Sequence, residues 1–499
     1  MNILLVSPST PDTFWSFRHA LPFVSKRAAF PPLGLLTVAA MLPDDWAARL
    51  VDLNVKRLTD TDLRWADYVM LSAMIVHEPS VRQIATRCQE LGKPIIGGGP
   101  LFTTGHHRFP DIPHFVLGEA ENVMATLVAD MIANRVQPIY QSPVKPDLSQ
   151  TPIPRWNLID HRAYATMPVQ FSRGCPFNCE FCDIVAMYGR VPRAKDPAQL
   201  IAELDALLAT GWQDPIFIVD DNFIGHKPKA KALLRALIEW RTRRKVRMPF
   251  TTEVSLNLVD DPELLELLVD AGFKKVFIGI ETPDEAGLAE CGKRQNRSRD
   301  LVADVKRIQR AGLQVEGGFI VGFDSDTPSI FQRQIEFIER SGIVTAMVGL
   351  LQAPPGTRLY ERLLKEGRLC GDLSGDNADG TTNIVPAMNL EVLRKGYRDI
   401  LQHIYAPRQY YRRIRNLLRE VKPPRVRPPL QGAQVLVFLR AFIRLGILGR
   451  ERVHYWSLLL WTQWRRPRLL TEAVTLAIYG YHFRKICRQA CAAAAERAP

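Results

Sequence analysis

"SRGCPFNCEFC", residues 172–182, decides the fold. It sets Cys175, Cys179 and Cys182 with three and then two residues between them, at the end of the strand-like run "PVQFSR" (168–173). Gly174 and Pro176 suit a turn, so the three thiols occupy a loop and not a regular face. Zinc sites usually pair their cysteines or combine them with histidines, and no second pair stands nearby. Cubane iron–sulfur clusters take thiolate ligands, normally four, so three would leave one iron open to a small molecule. Three buried cysteines without a ligand, or an opportunistic zinc ion, are the plainer alternatives.

Working outward, the loop opens a region of strand and helix in alternation, residues 168–365. After "PVQFSR" come the strand candidates "PIFIVDD" (215–221), "MPFTTEV" (248–254), "KVFIGIE" (275–281), "VEGGFIVGF" (315–323) and "AMVGLLQ" (346–352). Helical patterns such as "PAQLIAELDALLATG" and "SRDLVADVKRIQRAG" separate most of them. This succession predicts a parallel sheet curling into a partial barrel, with its chemistry at the carboxyl ends of the strands. Those ends carry Asp220, Asp221 and Asn222, then Glu253 and Ser255 on one face by the strand period of two, then Gly279, Glu281, Gly322 and Asp324. Helix capping is the alternative role for Asp220 and Asp324.

Upstream, residues 1–140 show five short apolar runs, "NILLVSP", "ARLVDLN", "YVMLSA", "PIIGGG" and "FVLGE", which predict an open Rossmann-like α/β sheet. Such sheets bind ligands beyond the carboxyl ends of their strands, here marked by Ser7, Asp52, Ser72, Gly97, Gly98, Gly99, Gly118 and Glu119. Tight-turn packing is the competing role for the three glycines. Residues 141–167, rich in proline, read as an extended linker.

The 168–365 region resembles the radical S-adenosylmethionine (radical SAM) enzymes, in which SAM chelates the open iron of a [4Fe-4S] cluster and is cleaved to a 5′-deoxyadenosyl radical. The resemblance makes Cys175, Cys179 and Cys182 the cluster ligands. It places Phe181 beside adenine, and Asp220, Asp221, Asn222, Glu253, Ser255, Gly279, Glu281 and Gly322 around SAM. With "PPLGLLTVAAML" (31–42), "GGGPLFTT" (97–104) and "VLGEAEN" (116–122) before it, the chain resembles the cobalamin-binding class of these enzymes, most of all the subgroup containing hopanoid C-2 methylases. That resemblance implies cobalamin at the first sheet and methyl transfer to an unactivated carbon of an apolar, lipid-like substrate. It also implies an external electron donor such as flavodoxin or ferredoxin. The pattern Asp-x-His-x-x-Gly of histidine-ligated cobalamin is absent, because the matching strand end reads "DLNVKRL" (52–58). A non-methylating rearrangement or cyclisation, and a cobalamin or redox sensor, are the rival functions.

The net charge of +13 suggests nucleic acid until it is divided. Residues 391–499 hold 22 Lys+Arg against 6 Asp+Glu, an excess larger than that of the whole chain, so the remainder is slightly acidic. The tail, 366–499, predicts a basic helical domain without nucleic-acid motifs. Its stretch "VLVFLRAFIRLGILGRERVHYWSLLLWTQWRRPRLL" (435–470) reads either as a solvated cap on the barrel or as helices lying in a membrane interface. Cys487 and Cys491, four apart on one helical face, read as a buried pair. No signal peptide or spanning segment is apparent, which reads as a cytoplasmic protein, peripheral at the inner membrane face if the tail binds lipid.

Overall fold

Apolar runs bounded by glycine, proline and polar turns become the strands of two parallel sheets in the computed structural model, which describes residues 1–423 and 432–496. The side chains of residue 433 and of residues 491–496, Cys491 among them, lie outside that description.

The first sheet comprises β1 (Asn2–Ser7), β2 (Ala47–Asp52), β3 (Tyr68–Ser72), β4 (Ile95–Gly98), β5 (His114–Leu117) and β6 (Ile139–Gln141). Their order is β2-β1-β3-β4-β5-β6, parallel throughout. Ile3 to Val6 are wholly buried, as expected of a central strand covered on both faces. β6 falls in the stretch bordering the expected linker. It is three residues long, and only Tyr140 is buried, its hydroxyl donating to Asp130, so the sequence offered no alternation to read. The linker itself is pinned, with Leu148, Trp156, Ala163 and Tyr164 buried.

The second sheet begins with β7 (Met167–Val169), which stops four residues short of its expected end. Ser172–Arg173 (β8) turns away to pair antiparallel with Arg193–Ala194 (β9), and the cysteine loop closes at its base on this two-residue ribbon. Then follow β10 (Ile216–Ile218), β11 (Phe250–Glu253), β12 (Phe273–Glu281), β13 (Gln314–Val321) and β14 (Ala346–Leu350). The order β14-β13-β12-β11-β10-β7 is parallel and unclosed, a six-stranded partial barrel. Helices return between the strands and start on side-chain caps, such as Asp261 accepting from the Leu264 N–H and Asp300 from the Ala303 N–H. In the helix Pro197–Ala209 the buried Leu200, Leu204 and Leu207 form one stripe against the sheet.

The tail forms the helices Leu390–Ile404, Pro407–Glu420, Gly432–Ala441, Arg452–Arg465 and Leu470–Glu496. It clasps both earlier regions and is more than a surface cap. The Tyr405 hydroxyl donates to the Ala346 carbonyl of β14 at 2.7 Å. Arg413, wholly buried, pairs with Glu339 at 2.6 Å. Phe483 stacks on Phe14 of the first region with centroids 4.2 Å apart, and His482 Nε2 lies 3.0 Å from the Phe14 carbonyl oxygen. Among the described residues no helix is long and apolar enough to cross a membrane. Phe483→Ala is expected to cost about 3–5 kcal/mol, read as a lowered thermal unfolding midpoint.

Candidate functional site

The cysteine loop is held from below by the end of β10. Both oxygens of the buried Asp220 are taken by the loop's first residues: the Phe171 N–H at 2.8 Å, the Ser172 N–H at 2.9 Å and the Ser172 hydroxyl at 2.6 Å. Asp221 accepts the Gly174 N–H at 2.8 Å. Asn222 sits behind Cys175, its amide nitrogen 3.8 Å from the sulfur and 3.2 Å from the Ser255 hydroxyl. Gly174 has φ +93°, and a Cβ there would meet the Gly189 carbonyl oxygen at 2.9 Å, so only glycine permits the loop to fold back on itself.

The three thiols sit half-buried in this loop. Burial pushes the Cys179 and Cys182 thiols up, against the pull of the nearby Lys293 ammonium. Among the described residues no three His, Cys, Asp or Glu side chains gather as ligands of a single ion. A cubane makes a different demand, since each thiolate binds its own iron. Lys293 stands beside the loop, paired with Glu281 at 2.6 Å and attracting the Cys179 and Cys182 sulfurs. Glu281 itself has φ +66°, in a bulge of β12.

Below the loop lies the barrel lumen. Val276, Ile278 and Ile280 of β12 are buried beneath the outer helices, so the alternate Phe277 and Gly279 point inward. By the same alternation Phe217, Thr251, Glu253, Ile320 and Met347 face in. Trp15, from the first region, confirms the direction: its indole N–H lies 3.0 Å from the Met347 sulfur, and its ring meets Phe277 edge-on at 5.5 Å. Lys275, Glu316 and Tyr479 close the lower end in a polar cluster. The Glu253 carboxyl, near the top, has no hydrogen-bond or ion-pair partner among the described residues. Burial and the Asp221 and Asp220 carboxylates push it from its ordinary 4.5 up to about 8.

The expected residues at the first sheet separate into two sets. Asp52 is inward-facing and committed: it accepts from the Asn54 backbone and amide at 2.9 and 2.8 Å and from the Tyr164 hydroxyl at 3.0 Å. Glu119 is buried in ion pairs with Arg173 at 2.7 Å and Arg193 at 2.8 Å, and Glu121 pairs with Arg173 at 2.8 Å. Ser7, Ser72, Gly97, Gly98 and Gly99 line up at the strand ends. Gly99, at φ +91°, packs so closely that a Cβ would meet the Ser72 hydroxyl at 2.8 Å, while Gly118 faces open space. Beside Gly118 a cleft of about 190 Å³ opens between Thr103 and Thr104, the Ala186–Met187 segment of the cysteine loop, and Pro355–Gly356 at the barrel rim. His77 has both ring nitrogens engaged, Nδ1 by the Met74 N–H and Nε2 with the Thr10 hydroxyl, and burial pulls it down to about 4. Neither of the aspartates weighed as helix caps is one: Asp220 holds the loop, and Asp324 pairs with Arg362 and Arg368.

Residues 25–128 match the B12 binding domain, residues 169–338 the Radical SAM superfamily and residues 357–496 a domain of unknown function. An uncharacterised methyltransferase of Synechocystis is 37% identical over 98% of this chain and 93% of its own length. The hopanoid C-2 methylase of Rhodopseudomonas palustris is 34% identical over 92% of this chain and 89% of its own length. The chain belongs to the cobalamin-binding radical SAM methyltransferases. The structure of the radical SAM methyltransferase TsrM from Kitasatospora setae, with cobalamin and a [4Fe-4S] cluster bound, shares the fold over 99% of both chains, with a TM-score of 0.63 at 16% identity.

As a radical SAM methyltransferase the protein uses a [4Fe-4S] cluster, SAM and cobalamin. Its own residues fit them: three loop thiols suit an iron–sulfur cluster, and the unpartnered Glu253 carboxyl faces the lumen beneath. The first sheet offers no free histidine at its second strand end, in keeping with "DLNVKRL". Arg173, Arg193, Lys293 and Trp15 escaped the sequence reading. Arginine and lysine are common, and only the fold brings these ones to the loop; the one local signal was Arg173 directly before Gly174-Cys175.

Asp220→Ala removes three hydrogen bonds from the loop and is expected to lower iron bound after reconstitution severalfold with the fold retained, measured by iron analysis and circular dichroism. In the cofactor-free protein, a Glu253 raised from 4.5 to about 8 favours the folded state below the lower value and loses that contribution as pH rises through the upper one. The unfolding midpoint therefore falls across this window, and Glu253→Gln flattens the fall.

Proposed function

We propose that this methyltransferase acts on an unactivated carbon of an apolar lipid, a hopanoid-like ring system being the instance. The observation that carries the reading is the lumen wall. Trp15, Phe217, Phe277, Ile320 and Met347 offer aromatic and thioether surface to whatever lies under the cluster, and the charged Lys275–Glu316 pair is withdrawn to the closed end. An apolar skeleton gains by burial there, whereas a charged substrate would lose hydration without a partner. The 34% identity to a hopanoid C-2 methylase supports the same class.

In this reading Cys175, Cys179 and Cys182 hold the cluster. Glu253, Ser255 and Asn222 line the SAM site with Gly279, Glu281, Gly322 and Phe181, while Asp220 and Asp221 position the loop. Cobalamin lies at the cleft beside Gly118, against the ends marked by Ser7, Ser72 and Gly97 to Gly99. Asp52 and Glu119 brace the site from behind. When bound, the cofactors supply a 5′-deoxyadenosyl radical and a transferable methyl group; the chain orients them and excludes water. An external one-electron donor of the flavodoxin or ferredoxin kind supplies the reducing electron.

The test is an anaerobic assay of the reconstituted protein with a polycyclic triterpene hydrocarbon in detergent. Methylated lipid should appear together with 5′-deoxyadenosine and S-adenosylhomocysteine, and Cys175→Ala should abolish all three. 5′-Deoxyadenosine without S-adenosylhomocysteine would indicate a rearrangement instead. Methylation of polar compounds but of no lipid would overturn the substrate class.

A further inference from the structure

The tail presents an apolar surface that nothing among the described residues covers. From the helix Gly432–Ala441 into the turn of wider helix Phe442–Ile447, Ala441 and Leu445 point inward and are buried. Val435, Leu436, Leu439, Phe442, Ile443 and Ile447 point out and are exposed, at the spacing of one helical face. The helix Arg452–Arg465 repeats the division. Tyr455, Leu458 and Thr462 are buried, while Val453, Leu460 and Trp464 are 72%, 68% and 87% exposed on the opposite stripe. The two segments are joined: Trp456 donates its indole N–H to the Gly446 carbonyl at 3.0 Å and meets Phe442 edge-on at 5.4 Å. Leu448, between them, is 72% exposed. A folded chain seldom leaves so many large apolar side chains together in water unless the surface has a partner.

The charges identify the partner. Residues 432–470 contain seven arginines and one carboxylate, Glu451, which is buried against Arg484. Arg450, Arg452, Arg465 and Arg468 are exposed and have no ion-pair partner among the described residues. A second copy seated on this face by two-fold symmetry would set these arginines against one another, with no carboxylate to meet them. An anionic bilayer meets both features, taking the apolar stripe below the headgroups while the arginine stems lie along it and their guanidiniums reach the phosphates.

We infer that residues 435–468 form a docking face for the surface of an anionic membrane, on which the protein rests without spanning it. The face is argued from its own residues and holds whatever the substrate is.

The full-length protein would be sedimented with vesicles of phosphatidylcholine alone and with a minority of phosphatidylglycerol. Preferential binding to the anionic vesicles is expected, weakening as salt is raised. The exposed triple variant Leu448→Ser, Leu460→Ser, Trp464→Ser should lower binding by about tenfold or more, with its thermal midpoint and SAM cleavage unchanged. Arg450→Glu with Arg452→Glu should abolish the preference for anionic lipid while leaving the midpoint unchanged. Absence of vesicle binding, or equal binding by wild type and both variants, overturns the proposal. So does sedimentation equilibrium showing a dimer that the triple variant dissociates while vesicle binding persists, since the face would then belong to a second copy.

Discussion

Everything in the site hangs on the clamp that the end of β10 places on the cysteine loop. The loop's twenty-odd residues have almost no regular structure of their own, apart from the helix Ile184–Tyr188. Their order comes from the two-residue ribbon at the base and from consecutive side chains, Asp220, Asp221 and Asn222, which hold Phe171 and Ser172, Gly174, and Cys175 in turn. Three adjacent residues on a strand end can do this because the chain leaves the extended conformation there, so that all three side chains reach one loop. The carboxylates are buried, which pushes Asp220 to about 7 and Asp221 to about 6. Hydrogen bonds from backbone N–H groups offset part of that cost.

The same loop is where the two sheets meet. Glu119 and Glu121 leave the end of β5 and pair with Arg173 and Arg193, the residues that flank the loop at β8 and β9. Removing one partner of such a buried pair costs about 3–5 kcal/mol because the other charge is left uncompensated. The pairs thus fix the distance between the strand ends of the first sheet and the three thiols of the loop. Trp15 adds a second tie, passing from the first region into the barrel lumen, and the tail adds a third through Phe483 and Phe14. Chemistry shared by two cofactors requires that their carriers not drift, and here the charged, aromatic and helical contacts all act across that one boundary.

Much of this was legible in the sequence, and the parts that were not have physical reasons. Spacing in "CPFNCEFC" and the alternation after it gave the partial barrel, and the strand ends of the first region gave the open sheet. β6 was missed because three residues, two of them exposed, carry no period. β7 was read too long because its last residues pair with a segment twenty positions on, which no local pattern records. Asp220 was read as a group facing SAM or capping a helix, whereas its oxygens are occupied by the loop. Identity of a side chain says what it can bind, and only packing says what it does bind. Trp15 and the arginine pairs belong to that second kind of information, as does the burial of Arg413 within the basic tail.

The central claim is that three protein thiolates hold a cluster with one iron left for SAM. Electron paramagnetic resonance of the reduced, anaerobically reconstituted protein, recorded before and after SAM is added, tests it most directly. A [4Fe-4S] signal whose g-values change on SAM addition is the predicted result. A spectrum indifferent to SAM, or a protein that takes up zinc and forms no cluster, would contradict the account.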